Sequence, residues 1–340
     1  MSARSQLSNK AMSLSVGFGV GGFAPHKAVT AHLLKGPSYK MEATVIYRTQ
    51  GDRSFQRHYK FPFFGLTYGY NQSGSPILLG DMHSLNIFGA LPLYEANYPI
   101  RFRAGFGVGY ATQKFDKYSN HKNSAIGSNF NANIQLRLEK DISIAKKGLI
   151  NVGLGLSHFS NASVQKPNLG LNFFHLYLNT GLQLRKYTYP GPDTLAVISI
   201  LPYSLWETSV TCGAGLRENS TPLGSKFFVG VMTFTQTRRV SEFSSWSLAL
   251  DNYVNMALYD EYSKWLQMGV SAAYLKHFNK IRVGLALGTY LLNKPAPEAI
   301  IYNKVIVEYH FNRFLFAQLL LKSHWAAADF FNLTIGYRIR

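Results

Sequence analysis

Residues 12–22 read MSLSVGFGVGG, a stretch in which apolar side chains alternate strictly with serine and glycine. Its apolar face consists of Met12, Leu14, Val16, Phe18 and Val20. Successive side chains of a β-strand point to opposite faces, so a period of two indicates a strand. The stretch therefore predicts a β-strand with one continuous apolar face and one face of small residues.

The same period recurs along the whole chain. In the first half, eight predicted strands lie near residues 12–22, 40–48, 63–70, 83–91, 101–108, 129–138, 148–160 and 172–185. In the second half, eight more lie near residues 205–216, 226–237, 244–254, 264–274, 280–291, 300–309, 312–323 and 329–339. Short alternating segments in succession are typical of an all-β sandwich or barrel.

Composition favours a membrane barrel over a soluble sandwich. Charged residues make up only 15% of the chain, against roughly 25% in soluble domains. No stretch approaches the run of about 18 apolar residues that a transmembrane helix needs. The polar strand faces carry Gly, Ser, Asn and Gln with occasional Arg, which suits a narrow lumen, and the apolar faces suit lipid. We therefore expect a transmembrane antiparallel β-barrel, closed because lipid cannot tolerate a free sheet edge.

The predicted strands fall into two domains. Residues 187–204 contain three prolines and a glycine, and are predicted to link domain 1–186 to domain 205–340. Each domain carries a complete set of eight alternating segments. We therefore prefer two tandem eight-stranded barrels to one sixteen-stranded barrel, although both agree with the alternation.

The two halves are predicted to be copies of each other. The sequence LSHFSNA around His158 aligns with KSHWAAA around His324 at an offset of 166 residues. A period of this length indicates a duplicated domain, not a solenoid. Ala326 and Ala327 replace a serine and an asparagine in the second copy, so we expect that copy to be degenerate and without a nucleophile.

The positive net charge of the chain indicates which class of molecule it binds. A formal net charge of +18 raises the class of nucleic-acid-binding proteins. No run of Lys and Arg exceeds two residues, however, so we expect anionic glycolipid and membrane lipids as partners and no nucleic acid.

The single cysteine, Cys212, excludes an internal disulfide and a multi-cysteine metal site. No His, Asp or Glu cluster has ligand spacing, so no metal or cofactor is expected.

Three polar residues are predicted to meet on the lipid-facing wall. In the strand at 148–160, His158 and Ser160 follow the apolar residues on the same face. In the strand at 172–185, Asn172 lies on the face that carries the apolar residues, just before the first of them. Positions i and i+2 on a strand lie ~6.5–7 Å apart, so an imidazole reaches a hydroxyl. A polar residue at the membrane interface has an ordinary explanation, but three that converge at membrane depth indicate a functional site.

These residues resemble the signature of a known family. HFSNA at 158–162 and PNLGLN at 167–172 are similar to the signature of PagL-type lipid A 3-O-deacylases, many of whose relatives are labelled acyloxyacyl hydrolases. The resemblance covers residues 12–186 and is only an outline in the second half. It implies an eight-stranded barrel integral to the outer membrane of a Gram-negative bacterium, acting on lipid A or lipopolysaccharide in the outer leaflet.

The resemblance also implies roles. Ser160 would be the nucleophile, His158 the general base, and Asn161 a donor of the oxyanion hole. The family has a glutamate at the position of Asn172. An amide orients an imidazole but does not stabilise its charged form as a carboxylate does, so both a weakened enzyme and an inactive relative stay open.

Loop lysines are candidates for substrate binding. If the barrel begins in the periplasm, the connections near residues 113–127 and 161–171 lie level with the outer leaflet. They contain Lys114, Lys117 and Lys166, which we expect to attract the phosphates of lipid A. The ordinary alternative is that these lysines are solvated loop residues.

The leading prediction is an outer-membrane serine esterase that removes an ester-linked acyl chain from lipid A or a related acylated glycolipid. The first alternative is a catalytically inactive outer-membrane barrel, a pore or a scaffold, that retains the fold. The second alternative is a soluble lipid- or nucleic-acid-binding β-protein.

Overall fold

The computed structural model describes residues 11–25, 27–144, 147–185, 206–295, 299–325 and 327–339. Within them the chain forms antiparallel strands that close into two eight-stranded barrels. The chain accordingly divides into two compact units, and residues 162–166 group with the second. The preference for two barrels is confirmed, and the sixteen-stranded alternative is wrong. The predicted linker at 187–204 lies outside the described residues.

The first barrel is an up-and-down meander in which β1 also pairs with β8. Its strands are β1 (Ala11–Phe23), β2 (Ser38–Arg48), β3 (Phe63–Gln72), β4 (Asp81–Pro92), β5 (Ile100–Ala111), β6 (Phe130–Ser143), β7 (Gly148–Ser160) and β8 (Leu171–Gln183). A 3-10 helix, Ala28–Leu33, follows β1, and the short helix α1, Ser54–His58, follows β2. The connections after the odd-numbered strands lie at the end of the barrel opposite β1's start.

The second barrel repeats this meander and closes between β16 and β9. Its strands are β9 (Trp206–Glu218), β10 (Lys226–Ser241), β11 (Ser244–Asn255), β12 (Leu266–Phe278), β13 (Ile281–Leu292), β14 (Ile301–His310), β15 (Leu315–His324) and β16 (Ala327–Arg338). The helix α2, Met256–Tyr262, follows β11. Among the described residues, no helix is long and apolar enough to cross a bilayer.

The predicted alternation is present in both barrels. In β8 the outward side chains Phe174, Leu176 and Leu178 are each more than half exposed, whereas His175 and Tyr177 between them are buried. In β13 the outward Leu285 and Leu287 are exposed at 68% and 59%, and Ala286 between them is buried. Contiguous apolar walls of this kind are typical of a surface covered by lipid.

A paired ionic network fills the lumen of the first barrel. Arg101 donates to Glu139 (2.7 Å) and to both oxygens of Asp141 (2.5 and 3.0 Å). Arg137 donates to both oxygens of Glu42, each at 2.7 Å. Four of these side chains are almost completely removed from solvent, and that of Asp141 is 12% exposed. An eight-stranded barrel is just wide enough for side chains to fill, and here charged pairs fill it.

In the lumen of the second barrel, buried carboxylates accept hydrogen bonds from several side chains. Asp251 accepts hydrogen bonds from Lys304 (2.8 Å), from the Tyr302 hydroxyl (2.7 Å) and from Ser271 (2.8 Å). Glu207 accepts from Arg282 at 3.0 Å. Buried charges in each barrel are therefore paired, as their desolvation requires.

The predicted equivalence of His158 and His324 is wrong. At the offset of 166 residues, Leu156 aligns with Lys322, but Lys322 is fully buried in the lumen and pairs with Asp329 at 3.0 Å, whereas Leu156 shares the outward parity of β7. The pairing between β15 and β16 skips Asp329 just after Lys322. His324 hydrogen-bonds to the Tyr290 hydroxyl (2.8 Å), and the Tyr290 ring packs against the buried Tyr302. The short sequence match therefore joins residues on opposite faces, and Ala326 lies outside the described residues.

The ionic network generates a stability prediction. Glu42→Ala leaves the Arg137 guanidinium in the lumen without its bidentate partner and with only the longer contact to Glu139 at 3.7 Å. Removing one partner of a buried ion pair costs about 3–5 kcal/mol. We expect the free energy of unfolding to fall by about that amount, measured by urea unfolding in detergent micelles with heat-modifiable gel mobility as the readout.

Thr44→Ala is the matched control on the same strand. It removes a buried lumenal hydroxyl that hydrogen-bonds to Thr67 at 3.0 Å, for which about 1 kcal/mol is expected. Equal losses for the two variants would show that the ion pair does not stabilise the barrel beyond an ordinary hydrogen bond.

Candidate active site

The ends of β7 and β8 bring three polar side chains into one hydrogen-bonded chain. His158 and Asn172 lie directly opposite each other in the ladder between these strands. The Nδ1 atom of His158 lies 2.7 Å from Oδ1 of Asn172, and its Nε2 atom lies 3.0 Å from Oγ of Ser160. The imidazole therefore bridges an amide and a hydroxyl, as the alternation predicted.

This chain continues the outward apolar face of the barrel. Val152 and Leu154 precede it on β7, and both are exposed. Phe174 and Leu176 follow it on β8, and both are more than half exposed. Ser160 itself is only 7% exposed, so its short side chain is sheltered among longer neighbours at the upper edge of the apolar wall.

An apolar cluster inside the barrel mouth holds the strand ends in this register. Phe159, Leu171 and Phe173 alternate with the three polar residues, point inward and are buried. Phe159 pairs with Leu171 across the ladder, and its ring packs edge-on against Phe173. If the pairing register slipped by one residue, these apolar side chains would turn outward and His158 would turn into the lumen. The cluster therefore fixes which side chains face the lipid.

The hydrogen bonds define the protonation of the imidazole. The carboxamide oxygen of Asn172 can only accept, so Nδ1 of His158 carries the hydrogen and donates it. Nε2 then carries the lone pair and accepts the hydrogen bond from the Ser160 hydroxyl. This is the tautomer that a general base toward serine requires.

Two further residues hold Asn161 beside the serine. The backbone N–H of Asn161 donates to Oδ1 of Asn168 at 2.9 Å, and its side-chain nitrogen donates to Oγ of Ser128 at 2.7 Å. Asn168, in the loop between β7 and β8, thus contributes a contact beside the serine. Ser128, in the loop before β6, was missed, because no sequence pattern connects it to residues 33 positions away.

Gly170 packs directly against the imidazole. Its φ is +78°, in the left-handed region that favours glycine. A Cβ atom at this position would lie 2.6 Å from Cε1 of His158. Its N–H donates to the carbonyl of Ala125 at 2.9 Å, so the loop cannot easily retreat. Gly170 therefore sets the position of the imidazole from the loop side.

Other charged and titratable residues lie apart from this chain of hydrogen bonds. Lys114 and Lys117 are exposed in the loop between β5 and β6, and Lys166 groups with the second unit. Hydrogen bonds from the backbone of the same loop hold the pKa of the Asp116 carboxyl below its ordinary value, so Asp116 caps a turn. His175 is buried in the lumen and hydrogen-bonded to Ser38.

The arrangement has the parts of a nucleophilic serine site. A hydroxyl is bonded to a lone pair of an oriented imidazole, and a carboxamide lies one residue further on. In the described part of the chain, no group of three or more His, Cys, Asp or Glu side chains could hold a metal ion. The chemistry that these residues can support is attack by Ser160 on an electrophilic carbon at the edge of the apolar wall.

Comparison with protein families matches both halves of the chain. Residues 41–180, which contain the hydrogen-bonded chain, match the model of the lipid A 3-O-deacylase PagL. Residues 206–340 match a separate model, the C-terminal domain of acyloxyacyl hydrolase. No curated protein matches the chain.

Solved structures were also compared. The crystal structure of the outer membrane enzyme PagL matches with 17% identity and a TM-score of 0.30, covering 48% of this chain and 97% of that one. A porin of Rhodopseudomonas blastica matches with 7% identity and a TM-score of 0.19, covering 97% and 100%. The outer membrane protein Omp33 of Acinetobacter baumannii matches with 8% identity and a TM-score of 0.20, covering 97% and 98%.

The close packing of Gly170 is testable. We expect Gly170→Ala to push the His158 ring away from Ser160, and a misplacement of about 1 Å in such a site costs on the order of 10²-fold in rate. The measurement is the rate at which an alkyl fluorophosphonate labels Ser160, followed by mass spectrometry of the labelled peptide.

Gly22→Ala is the control, because a Cβ atom at Gly22 meets nothing within 4 Å and its φ is not positive. It lies at the same end of the barrel, opposite Phe174. If both variants are labelled as fast as the wild type, Gly170 does not position the imidazole.

Proposed function

Because the chain belongs to the PagL family of lipid A 3-O-deacylases and acyloxyacyl hydrolases, we propose that it is a serine esterase that removes an ester-linked acyl chain from lipid A or a related acylated glycolipid. The observation that carries the proposal is the hydrogen-bonded chain from Asn172 through His158 to Ser160. It lies on the lipid-facing wall, where an acyl chain in the membrane can reach it.

The reaction proceeds in two steps. Oγ of Ser160 attacks the ester carbonyl while Nε2 of His158 takes the hydroxyl proton. The tetrahedral intermediate collapses, the bond between the acyl carbon and the sugar oxygen breaks, and His158 returns the proton to the leaving alcohol. A water molecule then attacks the acyl-serine ester while His158 takes its proton. When the bond between the acyl carbon and Oγ breaks, His158 gives that proton to Oγ, which restores the Ser160 hydroxyl and releases the fatty acid.

Asn161 is the proposed oxyanion donor. Its carboxamide is fixed by Ser128 and its backbone by Asn168, so the group is buried and held before substrate arrives. A donor of this kind costs no reorganisation when charge develops on the carbonyl oxygen, and removing one typically costs about 10²–10³ in rate.

Asn172 would orient the imidazole without carrying a charge. Its oxygen selects the productive tautomer of His158 and orients the ring. A carboxylate at this position would do the same and would also stabilise the imidazolium. That stabilisation is weaker with a neutral amide. We therefore propose an active enzyme in which His158 is a weaker general base than the histidine of family members that have glutamate at this position.

The proposed location is the outer membrane of a Gram-negative bacterium, with the site level with the outer leaflet. The apolar outer walls of the barrel support an integral position. Lys114 and Lys117 are exposed in the loop before β6, whose later residues contact the site through Ala125 and Ser128. We propose that these lysines, and Lys166, attract the phosphates of lipid A.

The alternative is an inactive barrel that keeps the family fold. The observation that favours it is the amide at Asn172, since the remaining members of the site are in place. An open pore through the first barrel receives no support, because paired Arg and Glu side chains occupy the lumen.

The nucleophile is tested by product analysis. Cells that express the wild type should yield lipid A lighter by one acyl chain, whereas cells that express Ser160→Ala should yield unmodified lipid A. The measurement is mass spectrometry of extracted lipid A, with the protein confirmed in the membrane fraction. The control is Ser157→Ala, a buried serine on the lumenal face of the same strand, which should leave deacylation unchanged. Identical spectra for wild type and Ser160→Ala would refute the proposed activity.

The role of Asn172 gives a gain-of-function prediction. Asn172→Glu supplies a carboxylate to Nδ1 of His158, and about 1.4 kcal/mol of added stabilisation of the imidazolium raises the rate about tenfold. We expect at least that increase in the initial rate of lipid A deacylation. Asn172→Leu, which has no acceptor, should lower the rate instead. A rate that is the same in all three proteins would mean that this position is not part of the machinery.

A further inference from the structure

The two sides of Ser160 differ in what they can accommodate. On one side of its hydroxyl lies the His158 imidazole, hydrogen-bonded to Asn172 on β8. On the other side lies β6, where Ala132 stands directly opposite Ser160 in the ladder. Side chains directly opposite on one face have Cβ atoms about 4.5–5.5 Å apart, so a single methyl group is the cross-strand neighbour of the nucleophile.

Larger outward side chains surround this methyl group. Phe130 and Ile134 lie two residues before and after Ala132 on β6, and Val108 lies opposite it on β5. Phe130 is 70% exposed, and its ring packs edge-on against that of Tyr110 at 5.3 Å between centroids. The outward side chain at Ala132 is therefore smaller than those around it, and this low point of the wall beside Ser160 is here called the notch.

The geometry of attack directs the acyl chain toward this notch. The carbonyl carbon must approach Oγ of Ser160 to about 3–3.5 Å. The imidazole occupies the β8 side of the hydroxyl, and Asn161 with its partners Ser128 and Asn168 occupies the end of the strand. The first carbons of the acyl chain are left with the β6 side, over Ala132.

We propose that Ala132 determines acyl specificity: the notch above its methyl group receives the acyl carbons next to the scissile ester. This inference rests on the proposed esterase function and adds to it the surface that selects the acyl group. Ala132 makes room for a long alkyl chain beside the nucleophile, and a larger side chain there would exclude that chain while a short acyl group still fits.

The test compares two esters in detergent micelles. We expect Ala132→Leu to lower kcat/KM for p-nitrophenyl palmitate at least about tenfold, since a single extra or missing methylene in an apolar pocket changes kcat/KM about 10–200-fold. Hydrolysis of p-nitrophenyl acetate by the same variant should stay within about twofold of the wild type. Ala132→Gly, which deepens the notch, should retain or raise activity on the palmitate ester.

Ala104→Leu is the matched control. Ala104 is an outward alanine on β5 that faces Leu136, two outward positions further down the wall. Its substitution adds the same side chain to the same apolar surface away from the nucleophile, and both esters should be hydrolysed as by the wild type. Heat-modifiable gel mobility confirms that each variant forms its barrel.

Three results would overturn the inference. Equal effects of Ala132→Leu and Ala104→Leu would show that the notch is not special, and equal losses on both esters would show damage to the site without acyl selection. A wild type that hydrolyses neither ester and leaves lipid A unmodified would remove the proposed function and this inference together. The first two results leave the esterase proposal standing, so the two failures are distinguishable.

Discussion

The closed hydrogen-bond ladder of the first barrel is the constraint on which the site depends. Because each strand pairs on both sides, the register between β6, β7 and β8 cannot drift without breaking the ring. That register places His158 opposite Asn172 and Ser160 opposite Ala132. The inward cluster around Phe159 then decides which of the two faces these residues occupy. The placement of these polar side chains on the outside of the barrel is thus set by packing on the inside.

Much of this arrangement could be predicted because it depends on local alternation. The parity within β7 and β8 is enough to place His158, Ser160 and Asn172 on the outer wall, and the strand positions agree with the structure to within a few residues at most ends. The separation into two barrels was less constrained, since alternation alone agrees equally with one larger ring. Closure depends on long-range pairing between β1 and β8, which no local pattern encodes.

The residues that sequence reasoning missed are those placed by register across strands or by loops. Ser128 meets Asn161 only because the loop before β6 returns to the end of β7. Conversely, the short match between His158 and His324 joins residues that face opposite ways, because the offset of 166 residues aligns the outward Leu156 with the lumenal Lys322. Because side chains alternate along a strand, a shift of one residue moves a whole motif to the opposite face of the sheet. A motif in a strand therefore indicates a site only when the face that it occupies is known.

The ion pairs in the lumen have a consequence for how the ring closes. Arg101 on β5 and Glu42 on β2 both find their charged partners on β6, at Glu139, Asp141 and Arg137. A sheet that lacks β6 therefore lacks the ion-pair partners of Arg101 and Glu42 on the face that becomes the lumen. Docking of β6 compensates both charges at once, so the ion pairs couple closure of the ring to this strand.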